Sequence, residues 1–200
     1  MRIIGLCGGS GSGKGTVANA FLKYGIPSID TDAVYHEITS SQTPGLDALV
    51  DDFGTEILTA DRKLDRKKLS SIVFVAENAG QKREKLNSIS HKYVLENTRD
   101  ILSKYESDGY KAALVDAPLL FESGFDKECD LVIAVVSDIS VRISRITARD
   151  GIDENTARLR ISTQLADEFL RQKADFVIEN SGDLSELEAQ VKSIAAKILS

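Results

Sequence analysis

Short apolar runs alternate along the chain with segments of helical periodicity, and this alternation predicts an α/β fold. The runs lack a polar residue at every second position, as expected of strands that are buried on both faces of a parallel sheet. Strands separated by helices indicate crossover connections between parallel neighbours. We predict a five-stranded parallel sheet with strands at residues 3–7, 27–30, 112–116, 131–136 and 176–178.

The stretch between Asp32 and Gly109 is too long for one crossover helix, so we interpret it as an insertion. Helical spacing at residues 45–53, 66–76 and 83–105 predicts a small helical lobe there. A second helix-rich excursion, at residues 140–174, is rich in arginine and is a candidate lid, and a last helix is predicted at 184–199. We therefore expect a single domain with a core (1–32, 106–139, 175–200), an insertion (33–105) and a lid (140–174).

Composition limits the classes of function. The 25 basic and 31 acidic residues give a net charge of −6, so the surface as a whole should repel nucleic acid, and anionic ligands must bind locally. The two cysteines show neither metal-ligand spacing nor a disulfide framework, which favours a reducing compartment. No apolar stretch has the length of a membrane span, and residues 1–7 are too short for a secretory signal. We expect a cytoplasmic protein without a membrane partner.

The most informative motif is GGSGSGKGT at residues 8–16, between the first predicted strand and a helix. Gly8, Gly13 and Lys14 fit the first seven positions of the phosphate-loop pattern G-x-x-x-x-G-K-[ST]. Backbone N–H groups of such a loop surround phosphate oxygens, and the lysine reaches the outer phosphates. The eighth position is Gly15, and Thr16 follows one residue late. An ordinary glycine-rich turn is the alternative, but the strand and helix on either side favour a nucleotide site.

Two aspartates follow predicted strands. Asp116 ends the run AALVD, which resembles a Walker B strand whose carboxylate orients a metal ion or its waters. A buried strand that ends in Asp for structural reasons is the alternative. Asp32, two residues after Asp30, is placed to take a proton from an attacking hydroxyl. The other interpretation is that Thr31 or Asp32 caps a helix that begins at Ala33.

Arginines at positions 142, 145 and 149 share one flank of a predicted helix, and like charges so arranged repel each other. An anionic ligand would relieve that repulsion, and guanidinium groups suit phosphate. A solvated charged face is the alternative. The two histidines, His36 and His91, lie in no pattern that indicates zinc.

Together these motifs resemble the dephospho-coenzyme A kinase family nearly from end to end. The resemblance rests on seven segments: IGLCGGSGSGKGTVA (4–18), GIPSIDTDAVYHEI (25–38), LDRKKLSSIVF (64–74), APLLFESG (117–124), RITARDGI (145–152), RISTQ (160–164) and ADFVIENSGDL (174–184). It implies a three-layer P-loop NTPase fold and transfer of the ATP γ-phosphate to the ribose 3′-hydroxyl of dephospho-coenzyme A.

The resemblance also implies residue roles. Asp32 would be the base and Lys14 would stabilise the transferring phosphate, while Mg²⁺ would be held by Thr16 and Asp116, directly or through water. The helical insertion would hold the acceptor. ATP would be bound by Gly11, Ser12, Gly13, Lys14, Gly15 and Thr16 with Arg145, Arg149 and Arg160 of the lid, and the acceptor by Asp32, His91, Leu119 and Phe121.

Three departures from the family pattern raise specific questions. Gly15 stands where the family more often has Ser or Thr, and the GKGT form resembles adenylate kinases. His91 is followed by Lys92 instead of proline, and Leu95 replaces a frequent arginine, so Lys92 or Arg99 would recognise the acceptor phosphates. A nucleoside monophosphate kinase is the nearest alternative function. A regulatory GTPase is less well supported, since no N-K-x-D-like element occurs. We expect small-molecule partners only and a monomer or small homo-oligomer.

Overall fold

The computed structural model describes residues 1–74 and 78–200. Within these residues, five strands form one parallel sheet in the order β2-β3-β1-β4-β5, which confirms the predicted α/β architecture. The strands are β1 (Arg2–Cys7), β2 (Ser28–Asp30), β3 (Ala112–Asp116), β4 (Leu131–Val136) and β5 (Phe176–Glu179). The α-helices are α1 (Lys14–Leu22), α2 (Thr31–Ile38), α3 (Pro44–Phe53), α4 (Arg66–Phe74), α5 (Ala79–Ser107), α6 (Ile139–Asp150), α7 (Glu154–Ser162), α8 (Asp167–Lys173) and α9 (Leu184–Leu199).

The chain divides into two compact units. The first contains Met1–Asp30 and Leu102–Ser200, and the second contains Thr31–Ile101, so one boundary falls inside α5. All five strands belong to the first unit. The functional division into core, acceptor-binding insertion and lid stays a prediction. No helix in the described part of the chain combines the length and the apolar character needed to cross a bilayer.

The first unit is organised around β1, the central strand. Ile4 and Leu6 are fully buried in one cluster with residues of α1 and α9, because successive side chains of a strand point to opposite faces. Gly5 faces the other way, and a Cβ there would lie 2.7 Å from a methyl carbon of Leu120. The segment after β3 therefore packs on the second face of the sheet. Each such fully buried apolar side chain contributes about 1.5–3 kcal/mol of hydrophobic free energy.

The second unit is helical and has its own small core. Leu49, Ile57, Leu69 and Val73 form its buried cluster. Helix α3 begins with a good capping sequence, since Thr43 accepts a hydrogen bond from the Leu46 N–H at 3.3 Å. Helix α4 (Arg66–Phe74) corresponds to the helix predicted at 66–76, whose last two residues, 75 and 76, lie outside the described residues.

Candidate active site

The loop between β1 and α1 forms a cradle for an anion. Gly11 (φ 78°) and Gly13 (φ 92°) have left-handed backbone conformations that side-chain-bearing residues rarely adopt. Gly13 is the residue that precedes the first turn of α1, so the free N–H groups of that turn face the loop. A helix N-terminus with such donors carries partial positive charge. The geometry fits the phosphate groups of a nucleotide.

The outer side of this loop is braced by side chains from other elements. A Cβ at Gly9 would overlap the guanidinium of Arg142, and a Cβ at Gly13 would overlap the side-chain amide of Asn180. Asn180 Nδ2 donates to the Ser12 carbonyl at 2.7 Å. Both glycines thus leave room for the bracing side chains, and Gly13 also permits the left-handed backbone conformation of the loop.

Lys14 lies beside Asp116 at the carboxyl edge of the sheet. Its Nζ donates to the Gly8 carbonyl at 3.1 Å and lies 3.9 Å from Asp116 Oδ1. Both side chains are largely buried, with exposed fractions of 14% and 16%. The parallel register of β1 and β3 produces this proximity, because Asp116, the last residue of β3, pairs with Leu6, two positions before the loop begins at Gly8. The predicted residues Lys14 and Asp116 are therefore brought together.

The oxygen donors beside the loop fit a hydrated Mg²⁺ ion. Mg²⁺ prefers oxygen ligands and is usually bound by one or two carboxylates together with substrate phosphates. Asp116 offers a carboxylate, and Thr16 is an exposed residue in the first turn of α1. A Cβ added at Gly15 would meet no neighbouring heavy atom within 4 Å. Packing therefore does not explain why this chain lacks a hydroxyl directly after Lys14.

Asp30 and Asp32 occupy different elements. Asp30 ends β2 and pairs in register with Asp116. Helix α2 begins immediately afterwards at Thr31, and Asp32 is an exposed acidic residue of its first turn. The alternative of a cap that precedes a helix at Ala33 is wrong, because the helix already includes Thr31 and Asp32. The role of Asp32 as a base stays a prediction.

The arginines of α6 are paired within the chain. Arg142 is 4% exposed and forms an ion pair with Asp167 at 2.9 Å. Arg149 and Arg160 both form ion pairs with Asp150. The hydrogen bond from Arg149 and, to a smaller extent, that from Arg160 lower the pKa of Asp150 to about 2. The predicted repulsion is therefore relieved by carboxylates of the protein, and it does not by itself require an anionic ligand.

Arg145 differs from its neighbours on α6. Its Nη1 donates to the carbonyls of Gly11 (3.2 Å) and Ser12 (3.4 Å) and to Ser137 Oγ (3.4 Å). The guanidinium of Arg145 thus lies against the phosphate loop itself. The predicted nucleotide contacts of Arg145, Arg149 and Arg160 stay predictions.

Two residues predicted to contact the acceptor line a cavity beside the loop. Leu119 and Phe121 face a space of about 100 Å³ that Gly8 and Gly9 also line. The Phe121 ring packs edge-on against Phe169, with 5.4 Å between centroids. His91 belongs to α5 in the second unit, and its predicted contact with the acceptor stays a prediction.

Burial suppresses the reactivity of both thiols. Desolvation raises the pKa of Cys7 to about 12 and that of Cys129 to about 12. A group with a raised acid pKa keeps its proton, so both side chains stay neutral thiols at neutral pH. Cys7, the last residue of β1, is a packing residue next to the loop.

Sequence reasoning missed two polar residues that shape the loop, Asn180 and Gln164. Asn180 directly follows β5 and lies within the motif ADFVIENSGDL. Gln164 lies two residues after the end of α7 and is the last residue of the motif RISTQ. A buried amide at the carboxyl edge of a parallel sheet was the available signal for Asn180, because ligands bind at this edge. Gln164 offered no such signal, since its partner, Ser10, is 154 positions away in the sequence.

Comparisons with known proteins show the family of this chain. The sequence model of the family CoaE, dephospho-CoA kinase, matches residues 2–186. A dephospho-CoA kinase of Corynebacterium glutamicum is 40% identical over 199 residues, which is 99% of this chain and 100% of that protein. The crystal structure of TT1252 from Thermus thermophilus is similar with a TM-score of 0.82 and 28% identity, covering 98% of this chain and 97% of that one. Dephospho-CoA kinase from Campylobacter jejuni has the same fold, with a TM-score of 0.71, 24% identity and coverage of 99% and 98%.

Proposed function

The chain belongs to the dephospho-CoA kinase family, and we propose that it transfers the γ-phosphoryl group of ATP to the ribose 3′-hydroxyl of dephospho-CoA. The products are CoA and ADP. The observation that carries this proposal is the family match along nearly the whole chain, which includes a phosphate loop with Lys14 beside Asp116. A cytoplasmic location and a monomer or small homo-oligomer stay predictions from the sequence.

The donor half of the reaction is assigned to the loop and α1. Backbone N–H groups of residues 11–16 bind the phosphates of ATP, and the N-terminus of α1 adds its partial positive charge. The Lys14 ammonium neutralises charge that develops on the transferring group. Asp116 and Thr16 would hold Mg²⁺, directly or through water, and the bound ion would supply further neutralisation of the phosphate oxygens. Arg145 lies against the loop and supports the same anion.

The acceptor half is assigned to Asp32 as the base and to residues of both units that contact the acceptor. The acceptor's 3′-oxygen forms a bond to the γ-phosphorus while the bond from that phosphorus to the β,γ-bridging oxygen breaks. Asp32 accepts the proton of the 3′-hydroxyl, as a carboxylate does in kinases. Leu119, Phe121 and His91 are assigned contacts with the acceptor, and Lys92 or Arg99 is assigned to its phosphates. The lid, with Arg149 and Arg160, excludes water from the reacting groups.

An acceptor comparison tests the function. ADP release is measured with dephospho-CoA and, in parallel, with AMP, CMP and UMP, and the product is identified by mass spectrometry. We expect turnover with dephospho-CoA and a product heavier by one phosphoryl group at the 3′ position. Turnover with a nucleoside monophosphate alone would show a monophosphate kinase instead, which the GKGT form also suits.

Asp32→Asn tests the assigned base. The amide cannot accept the proton, so we expect kcat to fall about 10²–10⁴-fold, the usual contribution of a general base. The Kd for ATP should stay unchanged, because the phosphates are bound by the loop. Asp51→Asn, at an exposed aspartate of α3, is the matched control and should leave kcat unchanged. A near-normal kcat in Asp32→Asn would remove Asp32 from the mechanism.

A further inference from the structure

Ser10, at the tip of the phosphate loop, is bonded to Gln164 and Arg142 through all of its polar groups. Its N–H donates to Gln164 Oε1 at 2.9 Å, and its hydroxyl accepts from Gln164 Nε2 at 3.1 Å. Its carbonyl accepts from Arg142 Nε at 2.9 Å. The Ser10 N–H is therefore directed at a side chain of the protein and not at the space where phosphate would bind.

Gln164 is itself fixed by a buried charge. Arg142 Nη2 donates to Gln164 Oε1 at 3.2 Å, so this oxygen faces two donors, while Nε2 faces the Ser10 hydroxyl. The orientation of the amide follows from these partners. Arg142 Nη1 is held in turn by Asp167, the first residue of α8. The network joins α6, the segment after α7 and the start of α8 to the tip of the loop.

The backbone of the loop is compatible with this network because Gly9 and Gly11 have no side chains. A Cβ at Gly9 would overlap the Arg142 guanidinium, and a Cβ at Gly11 would press on the Arg142 backbone. Gln164 also lies at the border of the cavity that Leu119 and Phe121 line. Gln164 therefore has two conceivable roles, to hold the loop or to contact the acceptor. The three hydrogen bonds described for its side chain go to Ser10 of the loop and to Arg142.

We propose that Gln164 is a positioning residue that holds the phosphate loop in its nucleotide-binding shape through Ser10. This proposal rests on the proposed function only in that the loop binds ATP. Hydrogen bonds that fix the loop before the ligand arrives reduce the ordering cost of binding, so Gln164 acts on the affinity for ATP. By the reciprocity of coupled equilibria, bound nucleotide also strengthens the contact of the loop with Gln164.

Gln164→Met tests this proposal, since it keeps the length of the side chain and removes both polar atoms. Binding of ATP is measured by calorimetry without an acceptor, so the result can be interpreted even if dephospho-CoA is not the substrate. We expect Kd for ATP to rise about tenfold, as for the loss of a small set of hydrogen bonds. The KM for dephospho-CoA should not change. Exchange of the Ser10 amide proton, followed by NMR, should accelerate.

The matched control is Gln172→Met on α8, an exposed glutamine whose side chain donates a hydrogen bond to Glu168 on the same helix. It should leave the Kd for ATP unchanged. In a double-variant cycle, Ser10→Ala and Gln164→Met should not be additive, because they remove parts of one contact. An unchanged Kd for ATP in folded Gln164→Met, full additivity, or a rise in the KM of the acceptor alone would overturn the proposal. Absence of turnover by the wild type with dephospho-CoA would instead contradict the proposed function.

Discussion

At the scale of single residues, the site depends on a few side chains whose surroundings restrict what they can do. Lys14 is confined between the Gly8 carbonyl and Asp116, so its charge is held at the loop. Its separation of 3.9 Å from the Asp116 carboxylate is long for a hydrogen bond and leaves the ammonium N–H groups able to turn towards a phosphate. Electrostatic groups that are fixed before the ligand arrives contribute most to catalysis.

Lys14→Ala should therefore lower kcat/KM for ATP about 10²–10³-fold, the cost of removing one preorganised charged donor. The fold should persist, because Lys14 is the first residue of α1 and alanine favours a helix. Steady-state kinetics and circular dichroism measure both effects. Lys23→Ala is the control, since Lys23 directly follows the same helix and its side chain forms an exposed ion pair with Glu188. A loss of similar size in both variants would contradict the assigned role.

Gly15→Ser should leave the fold intact and change the dependence of activity on Mg²⁺ concentration. A Cβ at Gly15 meets no heavy atom within 4 Å, and serine is better than glycine in a helix by about 0.5 kcal/mol. The new hydroxyl would stand directly after Lys14, where the phosphate-loop pattern places a Mg²⁺ ligand. We expect half-maximal activity at a lower Mg²⁺ concentration. Gly15→Ala supplies the helical gain without the hydroxyl, and an equal shift in both variants would count against a metal ligand.

At the scale of elements, the apolar periodicity of the sequence predicted the strands and helices that depend mainly on nearby residues. The five strands and the helix at 184–199 follow from apolar patterns, and the structure has α9 over Leu184–Leu199 as predicted. The first strand begins one residue earlier, at Arg2, and the second begins after Pro27, which has no N–H for the strand ladder. The pairing of the arginines in α6 was not predictable, since Asp167 and Ser10 reach Arg142 only through the tertiary fold.

Arg142 is the central brace between elements, and Arg142→Met should measure its strength. The substitution leaves the Asp167 carboxylate and the Ser10 carbonyl without this donor, which should cost about 2–3 kcal/mol of the free energy of unfolding. Urea denaturation gives the value. Arg158→Met on α7 removes an exposed pair with Glu154 and should cost less than about 1 kcal/mol. Similar losses in the two variants would show that burial of Arg142 adds nothing to stability.

At the scale of the whole molecule, two compact units have separate apolar cores. The cluster around Ile4 and Leu6 belongs to the first unit, and the cluster around Leu49 and Ile57 belongs to the second. Lys14, Asp116 and Arg145 of the donor site lie in the first unit. Of the residues assigned to the acceptor, Leu119 and Phe121 lie in the first unit, and Asp32 and His91 lie in the second. If only acceptor binding depends on the second unit, damage to its core should affect the two substrates differently.

Leu49→Ala tests this division. Leu49 is 1% exposed in the core of the second unit, so truncation should cost about 2–4 kcal/mol of stability there. Local opening of this unit should raise the KM for dephospho-CoA, while the Kd for ATP, measured without acceptor, should stay the same because the phosphate loop has an independent core. The matched variant Val191→Ala, in the core of the first unit, should weaken ATP binding as well. Equal loss of ATP affinity in both variants would show that nucleotide binding requires the second unit.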